Sequence, residues 1–275
     1  MSLSTTAPLS AQTLNIEISD FVATVELNRP EKRNAISPTM AGELADKLAT
    51  LEANSAVRVV LLRGAGGNFC SGGDLAPGGE ADTRPSGSPA SVTLDIMNRV
   101  YGRAIRRLHH FPKPVVALVE GVAAGAGANL ALACDLVYAT PEARFCEIFV
   151  RRGLSLDCGG SWLLPRLVGL QRAKELAFFG DWVDAETAAG LGLVTEVFAA
   201  DRIETAVREK LMSLASRPPI ALRLIKQSLN RASSLSMDQA LEIEAVAQAA
   251  CSATDDMLEG VRAFMEKREP RFEGR

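Results

Sequence analysis

Along the first third of the chain, hydrophobic positions repeat first with the period of a strand and then with that of a helix. Residues 14–18 and 21–27 alternate apolar with polar or small side chains around Ser19-Asp20, which predicts a hairpin of half-buried strands. Asn28-Arg29-Pro30 ends the second strand. Ser37 before Pro38 is a helix start: a hydroxyl that can cap the first turn, then a ring that pre-sets its φ. Met40, Leu44, Leu48 and Leu51 follow at helical spacing, so the helix runs to about Ala53. Residues 57–62 are almost all apolar, as a strand covered on both faces is, and they end in glycines. Pro, Gly, Ser, Asp and Ala dominate 76–91, an irregular segment. A helix is expected over 92–110, stopped by Phe111-Pro112, then a buried strand over 115–119, a second glycine-rich turn with its helix, and a strand over 136–138.

From Gln171 onward the pattern is mainly helical, with a short strand near 193–197. Segments 201–216, 219–230, 237–250 and 254–268 read as successive amphipathic helices. The expected architecture is therefore α/β, with a sheet-and-helix core over 1–200 and a helical C-terminal region over 201–275.

Composition narrows the function. The chain has 275 residues, 47% hydrophobic and 23% charged, with a net charge of −3, so no cationic excess points to nucleic acid or an acidic membrane surface. No apolar run reaches the length of a membrane span, and the first residues lack the basic and apolar regions of a signal peptide. Five widely spaced cysteines, an odd number, read as free thiols in a reducing compartment, which makes the cytoplasm the expected location. The two histidines, His109 and His110, are neighbours and cannot both face one point, which argues against a histidine metal site. Their expected place is a helix end, where a cation suits the dipole. The chemistry then falls to carboxylates and backbone.

Two glycine-rich turns follow buried strands: FCSGGDL at 69–75 and EGVAAGAGANL at 120–130. Such turns can exist for steric reasons alone. They also expose N–H groups at a helix start, and two together can converge on one oxygen as an oxyanion hole. Neither is a phosphate loop, because no Gly-Lys-Ser/Thr follows. The second lacks the third glycine and the later acid of a dinucleotide fingerprint, so a nicotinamide cofactor is not expected.

These turns, together with NRPEKRNA at 28–35, KPVVA at 113–117, GVAAGAGANLALACD at 121–135, DCGG at 157–160 and EGVRAFMEK at 259–267, resemble the crotonase (enoyl-CoA hydratase/isomerase) family over nearly the whole chain. The resemblance implies a ClpP/crotonase-like spiral of ββα units with a helical trimerisation region. It also implies a homotrimer or dimer of trimers, and an acyl-CoA substrate whose coenzyme A is the only cofactor-like group. Ser71 and Ala126 match the residues whose backbone N–H groups hold the thioester oxygen. Arg33, Asn34, Ala35, Gly72, Gly73, Asp74, Leu75 and Gly125 match segments around the coenzyme A and thioester. Phe264 and Lys267 match C-terminal residues that reach a neighbour's coenzyme A.

The reaction turns on departures from that pattern. Hydratases of the family use two glutamates, and here Asn129 and Phe149 stand in their places; Glu147, two residues from the second, fills it only if the match slips. Asp157 has two readings, a helix N-cap or the acting aspartate that isomerases of the family carry in this turn. The stretch 153–166 is similar to the 1,2-epoxyphenylacetyl-CoA isomerase-like members. The resemblance thus implies double-bond migration through a (di)enolate, on an aliphatic or ring-containing acyl-CoA, with Phe149 helping to keep the site dry. The alternatives are an enoyl-CoA hydratase of fatty-acid β-oxidation, a hydrolase or dehalogenase with Asp157 as nucleophile, and a coenzyme A-binding protein without activity.

Overall fold

The computed structural model describes residues 13–75 and 88–275. The hairpin is β1 (Leu14–Ser19) and β2 (Val22–Leu27), antiparallel, with Ser19 opposite Val22. Asp20 and Phe21 form its turn at φ of 50° and 63°. Two left-handed residues in succession match the twist of the flanking strands, so Phe21 belongs to the turn and not to the strand. Parallel strands β3 (Val59–Gly64) and β4 (Val115–Val119) add to β2. A separate strand β5 (Val122–Ala124) follows, then β6 (Leu136–Ala139) beside β4. Next come β7 (Arg144–Cys146), β8 (Val183–Asp184) and β9 (Glu196–Val197). The large sheet has the order β1-β2-β3-β4-β6-β9, and β5, β7 and β8 make a small second sheet. Every residue of β4 is buried, which is why its sequence does not alternate. β5 and β7 are three residues each, too short to leave a period in the sequence.

The helix predicted from Ser37 is α1 (Pro38–Ala53), and the Ser37 hydroxyl accepts from the Met40 N–H at 3.2 Å. The helix expected over 92–110 begins earlier, at a second serine cap, Ser88. It comprises α2 (Pro89–Ile96), a π turn (Met97–Tyr101) and α3 (Gly102–His109). The irregular segment expected over 76–91 thus ends by Ser88, and its residues 76–87 lie outside the described ones. Burial lowers the pKa of His109, which ends α3 with its ring edge-on to Trp162. The histidines thus close the helix as expected, with His110 as its C-cap, but burial disfavours the charged form of His109.

Four helices are interleaved along the chain with β5 to β9: α4 (Ala126–Leu132), which packs on β5, α5 (Gly160–Val168), α6 (Leu170–Phe179), and α7 (Ala185–Leu191), which packs on β7 and β8. After β9 come α8 (Ile203–Ala215), α9 (Pro219–Ala232), α10 (Met237–Ser252) and α11 (Asp255–Glu266). Ile203, Val207 and Leu211 of α8 pack on Val59, Leu61, Val116 and Leu118, covering the face of the large sheet opposite α1. At about 1.5–3 kcal/mol for each buried aliphatic side chain, that contact ties α8 to the core. The division placed at residue 201 therefore falls one helix early. The helices without a buried residue are α9 and α10.

Candidate active site

The two glycine-rich turns lie against each other. The Cys70 N–H donates to Val122 O at 2.9 Å, and the Ala124 N–H donates to Cys70 O at 3.0 Å. This closeness requires glycine: a Cβ on Gly127 would sit 2.3 Å from Cys70 O, and one on Gly72, at φ 108°, 3.0 Å from Ala124 O. The amides of the first turn can be accounted for one by one. Cys70 donates to Val122 O, Ser71 to Arg33 O at 3.0 Å, Gly72 to Cys70 Sγ and Asp74 to Ile36 O. The Ser71 N–H, expected to hold the thioester oxygen, donates to Arg33 O in this structure. Between Cys70 and Asp74, the amide without an acceptor among the described residues is Gly73's.

In the second turn Gly125 caps α4 at φ 52°, ψ −123°, with its own N–H on Cys146 O. Ala126 is the first residue of α4, so its N–H has no acceptor inside the helix. A Cβ at Gly125 would lie 3.5 Å from Phe149 Cζ, so the buried Phe149 ring covers the helix start. The two free amides, Gly73's and Ala126's, thus belong to turns joined by hydrogen bonds, beside an apolar wall.

Asp157 is not a helix cap. The N-cap of α5 is Gly159, and no side chain caps it. The main-chain oxygen of Asp157 accepts from the Gly160 N–H at 2.9 Å and from Asn129 Nδ2 at 3.0 Å. Its carboxyl is left for other work: Oδ1 is buried without a hydrogen-bond partner among the described residues. Burial raises its pKa, opposed by a hydrogen bond with the Cys158 thiol. Cys158 also lines a small apolar cavity with Leu27, Ile36, Met40, Tyr101 and Ile105.

The same Asn129 amide reaches Glu147 Oε2 at 3.3 Å. Glu147 is buried, and desolvation pushes its carboxyl up to about 8. The sequence treated this residue only as an alternative match, yet a signal was present: it is the single charge in the run Phe145-Cys146-Glu147-Ile148-Phe149.

The residues expected around coenzyme A divide. Arg33 is exposed at φ 48°, with no ion pair among the described residues, free to meet a phosphate. Asn34 is fully buried, accepting from the Arg29 N–H and donating to Ala65 O and Asn68 O at 2.8 and 2.7 Å. It is a latch between loops and cannot touch a ligand. Asp74 is likewise committed, to Arg29 at 2.6 Å and Lys32 at 3.2 Å. Ala35 is buried, while Leu75 is exposed. Phe264 and Lys267 are exposed at the end of α11, which packs on α10, and nothing within one chain ties them to Asp157.

The family model described as enoyl-CoA hydratase/isomerase matches residues 17–275. The chain belongs to the enoyl-CoA hydratase/isomerase family. Its relatives include the 1,2-epoxyphenylacetyl-CoA isomerase of Escherichia coli K12, 39% identical over 92% of this chain and 95% of that one. The short-chain-enoyl-CoA hydratase of Clostridium acetobutylicum is 34% identical over 92% and 94%. Among solved structures, an enoyl-CoA hydratase from Bacillus anthracis superposes with a TM-score of 0.89 at 31% identity, covering 96% of this chain and all of that one. The core is accordingly that of the crotonase fold, and the protein is an acyl-CoA enzyme of this family. Its relatives carry both isomerase and hydratase names, so the choice of reaction returns to the site.

Proposed function

We propose that this protein is an enoyl-CoA isomerase in which Asp157 carries the proton and the Gly73 and Ala126 amides hold the thioester oxygen. The observation that carries the reading is the Asp157 carboxyl, half-buried with one oxygen unpartnered, while the two hydratase glutamate positions hold an amide and a phenyl ring. The carboxylate takes a proton from the acyl chain, and the C–H electron pair spreads into a dienolate whose negative oxygen rests between the two amides. Each such donor is worth about 3–4 kcal/mol in the transition state. The carboxylic acid then returns the proton to another carbon of the chain, and the double bond moves. Neither water nor a redox partner enters the balance, and Phe149 beside the hole keeps water out. The exposed Arg33 suits a phosphate of coenzyme A, which arrives as part of the substrate.

Support for a homotrimer or dimer of trimers comes from the exposed apolar side chains of α9 to α11, among them Leu229, Val246, Phe264 and Met265. No described helix is long and apolar enough to cross a membrane; a cytoplasmic location stays part of the proposal. Hydration is the second reading, and one observation favours it: Glu147 gives the site a second carboxyl. The test is to offer the purified protein a 3-enoyl-CoA and a 2-enoyl-CoA separately. Rapid double-bond migration with negligible 3-hydroxyacyl-CoA is the expected result, and fast hydration would reverse the order of the two readings.

A further inference from the structure

Glu147 has no part in the proton shuttle proposed above, yet it is 5% exposed and faces Asp157 across Asn129. Two buried atoms define its state. Asn129 Nδ2 donates to Glu147 Oε2, and Asn129 Oδ1 is buried with no donor among the described residues. An ionised carboxylate can only accept, so it would leave that oxygen empty. A carboxylic acid beside a primary amide can instead close a two-bond ring, N–H to carbonyl in one direction and O–H to Oδ1 in the other. A Cβ on Gly160 would fall 2.5 Å from Asn129 Nδ2, so the helix after Asp157 is packed directly onto this amide.

We propose that Glu147 is a resident, proton-bearing carboxylic acid that pairs with the Asn129 amide and, through it, positions the Asp157 turn for catalysis. It is a positioning residue, resting on the isomerase reading, and its own proton is not transferred to substrate. The titratable groups around it leave it neutral. Asp157 opposes its ionisation, and the thiols of Cys146 and Cys158 are themselves held protonated by burial. No cation acts on it among the described residues. The pair breaks as pH rises through about 8, where Glu147 ionises.

The test compares wild type, E147Q, E147A and D157N by kcat and KM on a 3-enoyl-CoA across pH, and by infrared titration of the carboxyl groups. Glutamine keeps a donor where the acid had its O–H, so E147Q should retain kcat within about threefold and lose the alkaline fall in rate. E147A should lose kcat by about tenfold or more with KM little changed, as expected when a positioning contact is removed. A neutral-carboxyl band should be present at pH 7 in wild type and D157N, fade near pH 8 and be missing from E147Q. The proposal is overturned if that band is absent, if E147A keeps its kcat, or if E147Q falls as far as D157N. Should wild type move no double bond at all, the isomerase reading fails by itself. The band, and an Asp157 titration shifted in E147A but not in E147Q, then still decide the role of Glu147.

Discussion

At the residue scale, the site rests on what burial does to two carboxyls. Asp157 acts as a base only when ionised, and burial raises its pKa. The rate should therefore fall on acidification at a pH above the ordinary aspartate value of 3.8, and kcat/KM against pH on a 3-enoyl-CoA checks it. D157N should lose migration by roughly 10²–10⁴-fold, the usual share of a general acid–base group, while calorimetry still finds the thioester bound. Full activity in that variant would remove Asp157 from the mechanism. Glu147 makes a stability prediction of definite sign. Its folded pKa of about 8 lies above the ordinary 4.5, so its contribution is fully present below about 4.5 and is lost as pH rises to about 8. Wild type should thus lose stability relative to E147Q across that window, on the order of 5 kcal/mol in total, as read by denaturant unfolding.

At the element scale, the function depends on turns and not on helices or strands. Between Cys70 and Asp74 the first turn offers one amide, Gly73's, because every other N–H there is taken. Gly73 has open space where a Cβ would go, so G73A should fold and turn over, whereas G73P deletes the N–H. We expect G73P to lose kcat by about 10²–10³-fold while G73A keeps it; a folded G73P with unchanged kcat would take the Gly73 amide out of the hole. The loop before α1 depends on Asn34 in the same way. N34A leaves a buried N–H and two carbonyls without partners, which should cost about 3 kcal/mol and lower the melting temperature by several degrees. A rise in KM should accompany it, because Arg33 loses the loop that presents it. Both Gly73 and Asn34 sat inside motifs visible in the sequence, but a motif does not say which atom of a residue is free. Ser71 and Gly73 are two positions apart on one turn, and only the hydrogen bond from Ser71 to Arg33, 38 positions back along the chain, separates their roles.

At the scale of the whole molecule, α8 closes the core while α9 to α11 leave apolar side chains in solvent, Phe264 at 84% exposure and Val246 at 71%. A surface of that kind calls for a partner of its own sort. Sedimentation should find a trimer or a multiple of it, and polar replacement of Val246 and Phe264 together should shift the protein toward monomer; a wild-type monomer at micromolar concentration would remove the oligomer from the proposal.

The sequence by itself determined the order of elements, the serine cap and apolar face of α1, the buried parallel strands and the family. Each of these is written in residues close together along the chain, in periodicity or in contiguous motifs. It also brought Asp157 forward, but left it between a cap and a base. Tertiary structure removed the cap reading, by giving the α5 cap to Gly159 and leaving an Asp157 oxygen unpartnered. It likewise moved the free amide from Ser71 to Gly73, turned Asn34 and Asp74 inward and set Glu147 beside Asp157. The reason is the same each time. Whether a polar atom is free for chemistry depends on the partners and the burial it meets across the fold, and those come from distant parts of the chain.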